Sequence, residues 1–177
     1  MPFRNTPTAR LLQSFLEFWR RCGAGGIPTK AALDPIGLAR GGFMPHIWLV
    51  ERVGEDRFVY RIAGERIIEV LGFYPRGKEL HDLFPGPVAQ ELTARWSKLL
   101  DERLGYHNHG KIVAPDGGVF IGERLGLPLL DSAGEPRFVV GVTQYLVRNR
   151  LPEKRPEITI RSEPSELLTV DDLLSGD

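Results

Sequence analysis

The sequence has 177 residues, a length normally accounted for by one domain with a substantial apolar core. Its 23 basic and 23 acidic residues give a formal net charge of zero, so it lacks the basic excess of a nucleic-acid-binding surface. The single cysteine, Cys22, excludes an internal disulfide and is typical of a reducing compartment. Neither a run of about 20 apolar residues nor a signal-peptide pattern is present. We therefore expect a soluble cytoplasmic protein without a membrane or nucleic-acid partner.

Residues 1–26 predict an N-terminal amphipathic helix. Thr6 and Pro7 suit its start, because a hydroxyl caps the first amides and proline is accepted in the first turn. Apolar residues then recur at spacings of three and four, which places them on one face of the helix. This face suits packing against the chain's own core, and its aromatic area also suits a second copy. We predict a homodimer interface to which Leu12, Phe15 and Trp19 contribute.

The middle of the chain predicts a hairpin followed by helices. Residues 27–45 contain several prolines and glycines, which favour a surface connector with one helical turn near Pro35. Beyond it, period-2 alternation predicts two strands joined by a tight turn, and later spacings of three and four predict helices. These elements are the strands Ile47–Val53 and Phe58–Ala63, the helix Glu65–Leu71, a helical turn at Leu80–Phe84 and the helix Val88–Leu104.

Three further strands complete the predicted core. They are Tyr106–Ala114, Val119–Leu130, with a bulge expected near Gly126 and Pro128, and Phe138–Val147. The last strand is apolar on both faces, which indicates the centre of a sheet that is covered on both sides. Residues 149–177 are rich in Pro, Glu and Ser, and we expect a mobile polar tail. Its best candidates for order are a strand at Glu157–Arg161 and a helical turn at Val170–Leu174.

The order of these motifs resembles the PAS domain family, the small sensory domains of signalling proteins. The matching pieces are YRIAG at Tyr60–Gly64, LG at Leu71–Gly72, GKELHDLF at Gly77–Phe84 and FWRR at Phe18–Arg21. The match is closest to a bacterial variant with an N-terminal FWRR-type helix. The resemblance implies an α+β fold whose core spans residues 27–148. Its five-stranded antiparallel sheet, in the order 2-1-5-4-3, would carry short helices and one long helix on one face and the N-terminal helix on the other.

Two motifs suggest chemistry that their context disfavours. The G-x-x-x-x-G-K spacing at Gly72–Lys78 is followed by Glu79 and preceded by a helix, whereas a phosphate-binding loop needs Ser or Thr next and a preceding strand. We interpret its glycines as turn residues. The HNH triplet at residues 107–109 lies on a strand, unlike the nuclease motif. His107 and His109 share one face and are able to share a metal, but no third ligand is evident, so we assign no metal.

The resemblance also bears on cofactors. PAS proteins that bind haem commonly use a histidine of the long helix, and Val88–Leu104 has none. PAS proteins with flavin photochemistry use a cysteine in the central helices, whereas Cys22 lies in the N-terminal helix. The cofactor is therefore unknown. No nucleophile or hydrolase motif occurs, and we predict no catalytic residues and no enzymatic activity.

A small-molecule pocket is predicted where the strand Phe58–Ala63 turns at Gly64 into helices that fold back over it. The predicted walls are Tyr60, Ile62, Ile67, Leu71, Phe73, Leu80 and Trp96. These features favour a stand-alone sensory or regulatory module that binds a small molecule or a protein partner and signals through association. Two alternatives stay open: a small enzyme that uses the same pocket, and a structural dimerisation module whose core these side chains fill.

Overall fold

The computed structural model describes residues 9–114, 116–150, 158–162 and 166–175. The helices are α1 (Arg10–Gly23), α2 (Pro35–Arg40), α3 (Glu65–Leu71), α4 (Leu80–Leu83), α5 (Gly86–Asp101) and α6 (Val170–Leu174). The strands are β1 (Ile47–Gly54), β2 (Arg57–Ala63), β3 (Gly105–Val113), β4 (Gly118–Leu130), β5 (Pro136–Arg150), β6 (Thr159–Ser162) and β7 (Glu166–Leu168). No helix in these ranges has the length and apolarity needed to cross a membrane.

The strands form one antiparallel sheet in the order β2-β1-β5-β4-β3-β6, and β7 also pairs with β3. The order of the first five strands is the one that the resemblance implies, and β5 lies in the middle as its two-sided apolar pattern predicts. Among the described residues the sheet has seven strands, because β6 and β7 extend it beyond the five expected. The α+β prediction is confirmed, with this difference in strand count.

Each face of the sheet carries its own apolar core. One core lies under α3, α4 and α5 and includes Trp48, Tyr60 and Trp96. The other lies under α1 and α2 and includes Phe15, Leu125 and Val140. Alternate residues of a strand face opposite sides of a sheet, so the same strands supply both cores. The connector before β1 also takes part, since Leu38 and Phe43 are buried against α1.

Helix α1 is docked on the sheet by the face that the sequence predicted to be apolar. Leu12, Phe15 and Trp19 are each 0% exposed within this single chain. The indole Nε1 of Trp19 donates a hydrogen bond of 3.0 Å to the carbonyl oxygen of Pro128 on β4. These three side chains therefore offer no surface to a second copy, because the chain's own core uses their full area. The helix begins at Arg10, and the start predicted at residues 6 and 7 lies outside the described residues.

The C-terminal segment, expected to be a mobile tail, is docked wherever it is described. Strands β6 and β7 pair with the outer edge of β3, and Leu168 and Leu173 are buried beneath α1. Arg20 of α1 donates to the main-chain oxygens of Leu173 and Asp172, the second at 3.3 Å. A few apolar anchors thus hold a segment whose overall composition is polar.

Two local predictions have different outcomes. Gly72 and Gly77 have φ angles of 77° and 81°, a left-handed conformation that favours glycine, so the G-x-x-x-x-G-K segment is a turn. The bulge expected in β4 near Gly126 and Pro128 is not found there, and the extra residue at each irregularity of the β4–β5 ladder is on β5. The register of β4 against β5 shifts between Ile121 and Gly122 and again between Leu129 and Leu130. The ladder through Gly126 and Pro128 is regular, because these two residues pair directly with Gly141 and Val139.

Candidate functional site

A cavity of about 60 Å³ lies between the sheet and helices α3 and α5. The sheet supplies the floor from β1 through β6, and the helices supply the roof. The lining residues are Trp48, Tyr60, Ile67, Leu71, Phe84, Leu92, Arg95, Trp96, Tyr106, Ile112, Arg124, Thr143, Tyr145 and Ile160. A mainly apolar wall with a few polar groups is the usual make-up of a small-molecule site.

Aromatic rings dominate the wall between β1 and α5. The ring of Trp48 stacks on that of Trp96 at a centroid distance of 5.7 Å and on that of Tyr106 at 6.4 Å. Tyr60 meets Trp96 edge to face at 6.1 Å. The indole Nε1 of Trp48 donates to Thr143 Oγ1 at 3.2 Å, which fixes the orientation of that ring. The rings therefore form a continuous wall in which each ring packs against another.

The main polar feature of the cavity is the guanidinium group of Arg124 on β4. This side chain is 8% exposed, and its Nη1 and Nη2 atoms have no hydrogen-bond partner among the described residues. The buried indole Nε1 of Trp96 also has none in those ranges. Arginine keeps its charge at all ordinary pH values and has donors only. The site therefore presents unpaired donors, one of them cationic, and within the described ranges no acidic residue lines the cavity.

Two tyrosines stand close to this cation. Burial raises the pKa of Tyr145 to about 12, and the charge of Arg124 opposes that rise only in part. Burial likewise raises the pKa of Tyr60, with smaller contributions from Tyr106 and Tyr145 in the same direction. Both hydroxyls therefore stay protonated at neutral pH. They add neutral hydrogen-bonding groups to the site, and they do not neutralise the guanidinium.

A second arginine at the rim is already partnered. Arg95 of α5 donates to Glu91 Oε1 at 2.5 Å, one helical turn earlier. Its guanidinium carbon also lies 5.4 Å from the ring centroid of Tyr106, within the range of a cation–π contact. Arg95 is thus held by contacts with Glu91 and Tyr106, whereas the terminal nitrogens of Arg124 have no acceptor among the described residues.

The structure brings together four of the seven residues predicted for the pocket wall. Tyr60, Ile67, Leu71 and Trp96 line the cavity. The remaining three lie elsewhere in the fold.

Ile62 faces the opposite core because β2 carries one extra residue. Leu49 pairs with Ile62 and Val50 with Tyr60, so Arg61 is left without a partner position on β1. Such a bulge shifts every later side chain to the other face of the sheet. Strict alternation placed Ile62 beside Tyr60, and that prediction is wrong for this reason.

Phe73 and Leu80 pack near the cavity without lining it. Leu80 is 1% exposed and belongs to the packed core under the helices. Phe73 is half-buried and meets Phe84 edge to face at 6.1 Å, and Phe84 is the ring that reaches the cavity. The cavity is therefore reached by Phe84, which directly follows α4 and lies four positions after Leu80.

Sequence reasoning missed Arg124, Thr143 and Tyr145. A signal for the first was present, since Glu123 and Arg124 interrupt a 13-residue strand that is otherwise mostly apolar. Ionised side chains are rarely buried unless they are paired or functional. The register that places β5 beside β4 brings Thr143 level with Arg124. That pairing is a tertiary feature and has no local signature.

Comparison with protein families identifies the class of this chain. The family model of the PAS domain matches residues 7–144, so the chain belongs to the PAS domain family, as the motif order indicated. PAS domains are sensory modules of signalling proteins, and this membership points to a sensory domain rather than an enzyme. A comparison with curated protein sequences finds no significant match.

Solved structures with this fold include VqmA of Vibrio cholerae. The VqmA dimer without its target DNA is 18% identical with a TM-score of 0.51, and the match covers 63% of this chain and 50% of that one. VqmA bound to DPO is 17% identical with a TM-score of 0.51, covering 63% and 56%. This chain thus spans only about half the length of the VqmA structures. At this identity the likeness shows the fold alone.

Proposed function

We propose that this chain is a non-catalytic PAS sensor whose cavity binds a small anionic molecule, with a carboxylate as the recognised group. The observation that carries the proposal is the buried guanidinium of Arg124, whose terminal nitrogens have no acceptor within the described ranges. A buried, unpaired charge is strongly unfavourable, and a carboxylate is able to accept two parallel hydrogen bonds from guanidinium. The unpaired indole of Trp96 supplies a further donor in the same cavity.

The size of the cavity limits the ligand. Its volume is about 60 Å³, compared with roughly 150 Å³ for an apolar cavity that accepts benzene. A carboxylate with a short carbon chain, in the range from acetate to pyruvate, fits this limit when the wall is as it stands. A larger ligand requires side chains of α3 or α5 to move. The aromatic wall suits the carbon part of such a ligand.

Thermal unfolding tests this proposal with matched pairs of compounds. Acetate, propionate and pyruvate are compared with acetamide and propionamide at equal ionic strength, because ligands that bind only the folded state raise Tm. We expect a rise with at least one carboxylate and none with the amides. Arg124→Met removes that rise, while the exposed Arg76→Met retains it. Equal responses to carboxylates and amides, or a response that survives Arg124→Met, contradict the proposal.

The output of such a module passes through association. The VqmA structures concern a dimer in one case and a bound ligand in another, which supports a search for both properties here. We propose that ligand binding alters association with a second copy or with a protein partner. Light scattering of the full chain measures its mass directly. The measurement is made with and without whichever carboxylate raises Tm. A monomer under both conditions removes the homodimer from the proposal.

A further inference from the structure

We propose that His107, His109 and Glu123 form a binding site for a first-row divalent cation of the zinc type, on the sheet face opposite the cavity. One ligand atom from each of the three residues falls in a group whose members all lie within 4.8 Å of one another. This inference is independent of the anion site, since it uses other residues on the other face. The sequence offered the two histidines but no third ligand, and the structure supplies Glu123.

The register of β3 and β4 creates this cluster. His109 lies directly opposite Glu123 in the antiparallel ladder, and His107 is its diagonal neighbour on the same face. The Nε2 atom of His107 lies 2.7 Å from Glu123 Oε1, and Nε2 of His109 lies 3.9 Å from the same oxygen. The two imidazole rings meet edge to face at 5.4 Å. All three side chains therefore converge on one point.

These distances bracket the spacing that a tetrahedral ion needs. Zinc bonds to nitrogen and oxygen of about 2.0–2.2 Å place neighbouring ligand atoms roughly 3.4 Å apart. On metal binding, the 2.7 Å between His107 Nε2 and Glu123 Oε1 must lengthen, and the 3.9 Å between His109 Nε2 and the same oxygen must shorten. Each change is less than about 1 Å. The ligand nitrogens of His107 and His109, which lie within 4.8 Å of each other, must also come to this spacing.

The surroundings suit a metal centre with one open position. His107 and Glu123 have side-chain exposures of 2% and 0%, whereas His109 is 35% exposed and leaves the site accessible from one side. The second ring nitrogen of His107, Nδ1, lies 3.9 Å from Glu166 Oε2 on β7. Metal-bound histidines usually donate that second N–H to a carboxylate, which fixes the ring. Glu166 is placed to serve in this way.

The ligand types indicate which ions fit. Two imidazoles and one carboxylate favour Zn²⁺, Co²⁺, Ni²⁺ or Fe²⁺, whereas Mg²⁺ prefers sites built from oxygen alone. The other oxygen of Glu123, Oε2, accepts a hydrogen bond of 2.9 Å from the main-chain N–H of Ala9, just before α1. The carboxylate of Glu123 would then contact a bound ion through Oε1 and the main-chain N–H of Ala9 through Oε2. Ala9 is therefore a natural reporter of occupancy.

Titration with Co²⁺ and Zn²⁺ tests the site on the full, untagged chain. We expect visible d–d absorption from Co²⁺ that Zn²⁺ abolishes, a rise of Tm with Zn²⁺ but not with Mg²⁺, and a shift of the Ala9 amide resonance. His109→Ala is expected to weaken binding at least about tenfold, and its partial exposure makes it the variant that folds. The matched control is His81→Ala, since His81 is exposed and lies outside the cluster.

Three results overturn the site: no Co²⁺ absorption together with no Zn²⁺-dependent rise of Tm, unchanged binding in His109→Ala, or equal loss in His81→Ala. Glu123→Gln provides a second check through its absorption spectrum at a temperature where the variant is folded. Retention of the full Co²⁺ spectrum in Glu123→Gln removes the carboxylate from the site and, with it, the proposal.

Discussion

Replacement of Arg124 by methionine is expected to stabilise the ligand-free chain. The guanidinium is buried, and its two terminal nitrogens have no acceptor among the described residues, so the folded state bears the cost of a desolvated charge. Replacement of buried ionic groups by apolar residues of similar volume is often neutral or stabilising by about 1–4 kcal/mol. Methionine keeps most of the side-chain volume and removes the charge. We expect the free energy of unfolding to rise within that range.

Urea denaturation of dialysed protein measures this change. A gain of 1 kcal/mol corresponds to about 2–4 °C in Tm for a chain of this size, so thermal unfolding provides an independent estimate. The m-value should not change, because the substitution leaves the unfolded surface almost unaltered. The matched control is Arg95→Met, which removes an arginine whose partners, Glu91 and the ring of Tyr106, are both present. This control is not expected to gain stability.

A loss of more than about 1 kcal/mol in Arg124→Met at constant m-value would contradict an unpaired guanidinium in the ligand-free chain. That result would show that the guanidinium makes stabilising contacts in the ligand-free chain, so that its role is structural. If Arg124→Met raises the free energy of unfolding and also abolishes the Tm response to carboxylates, Arg124 serves ligand binding and is not needed for folding.

Three further predictions concern stability. Trp19→Ala should cost about 3–5 kcal/mol in urea denaturation because the ring is 0% exposed, and a loss below 1 kcal/mol would contradict the docking of α1. Gly141→Ala should lower Tm because an added Cβ meets the indole of Trp48, whereas at Gly86 it meets nothing within 4 Å; equal effects of the two substitutions would refute this. Burial raises the pKa of Tyr145 to about 12 in the folded chain, whereas a tyrosine in the unfolded chain has a pKa near 10. Between about pH 10 and 12 this hydroxyl is therefore ionised in the unfolded chain and still protonated in the folded chain. The free energy of unfolding is thus unaffected by this group below pH 10 and falls above it by up to about 1.4 kcal/mol per pH unit. Tyr145→Phe should make this fall with pH less steep. The same slope in the variant and the original chain would contradict a raised pKa at Tyr145.

The sequence predicts the elements of this fold well because their patterns are local. Strand β5 is apolar on both faces, and this property alone placed it at the centre of the sheet. The site is harder to predict because register decides it. The extra residue at Arg61 turns Ile62 away from the cavity, and the pairing of β4 with β5 brings Arg124 level with Thr143. Neither event leaves a periodic trace in the sequence.

The C-terminal segment shows the limit of reasoning from composition. Pro, Glu and Ser outnumber apolar residues there, and on this ground a mobile tail was expected. Leu168 and Leu173 are nevertheless 1% and 0% exposed, and the open edge of β3 offers hydrogen bonds to any extended segment. A small number of well-placed leucines and an available strand edge outweigh the average polarity of the segment.

The contacts of Arg20 make α6 dependent on a helix 153 residues earlier in the chain. Helix α6 has five residues, too few to be stable alone in water. Its last carbonyl groups lack partners within the helix, and the guanidinium of Arg20 bonds the oxygens of Leu173 and Ser175. When α1 shifts or lifts from the sheet, α6 loses these bonds and its apolar support together. The position of the first helix therefore determines whether α6, in the last described segment of the chain, stays ordered.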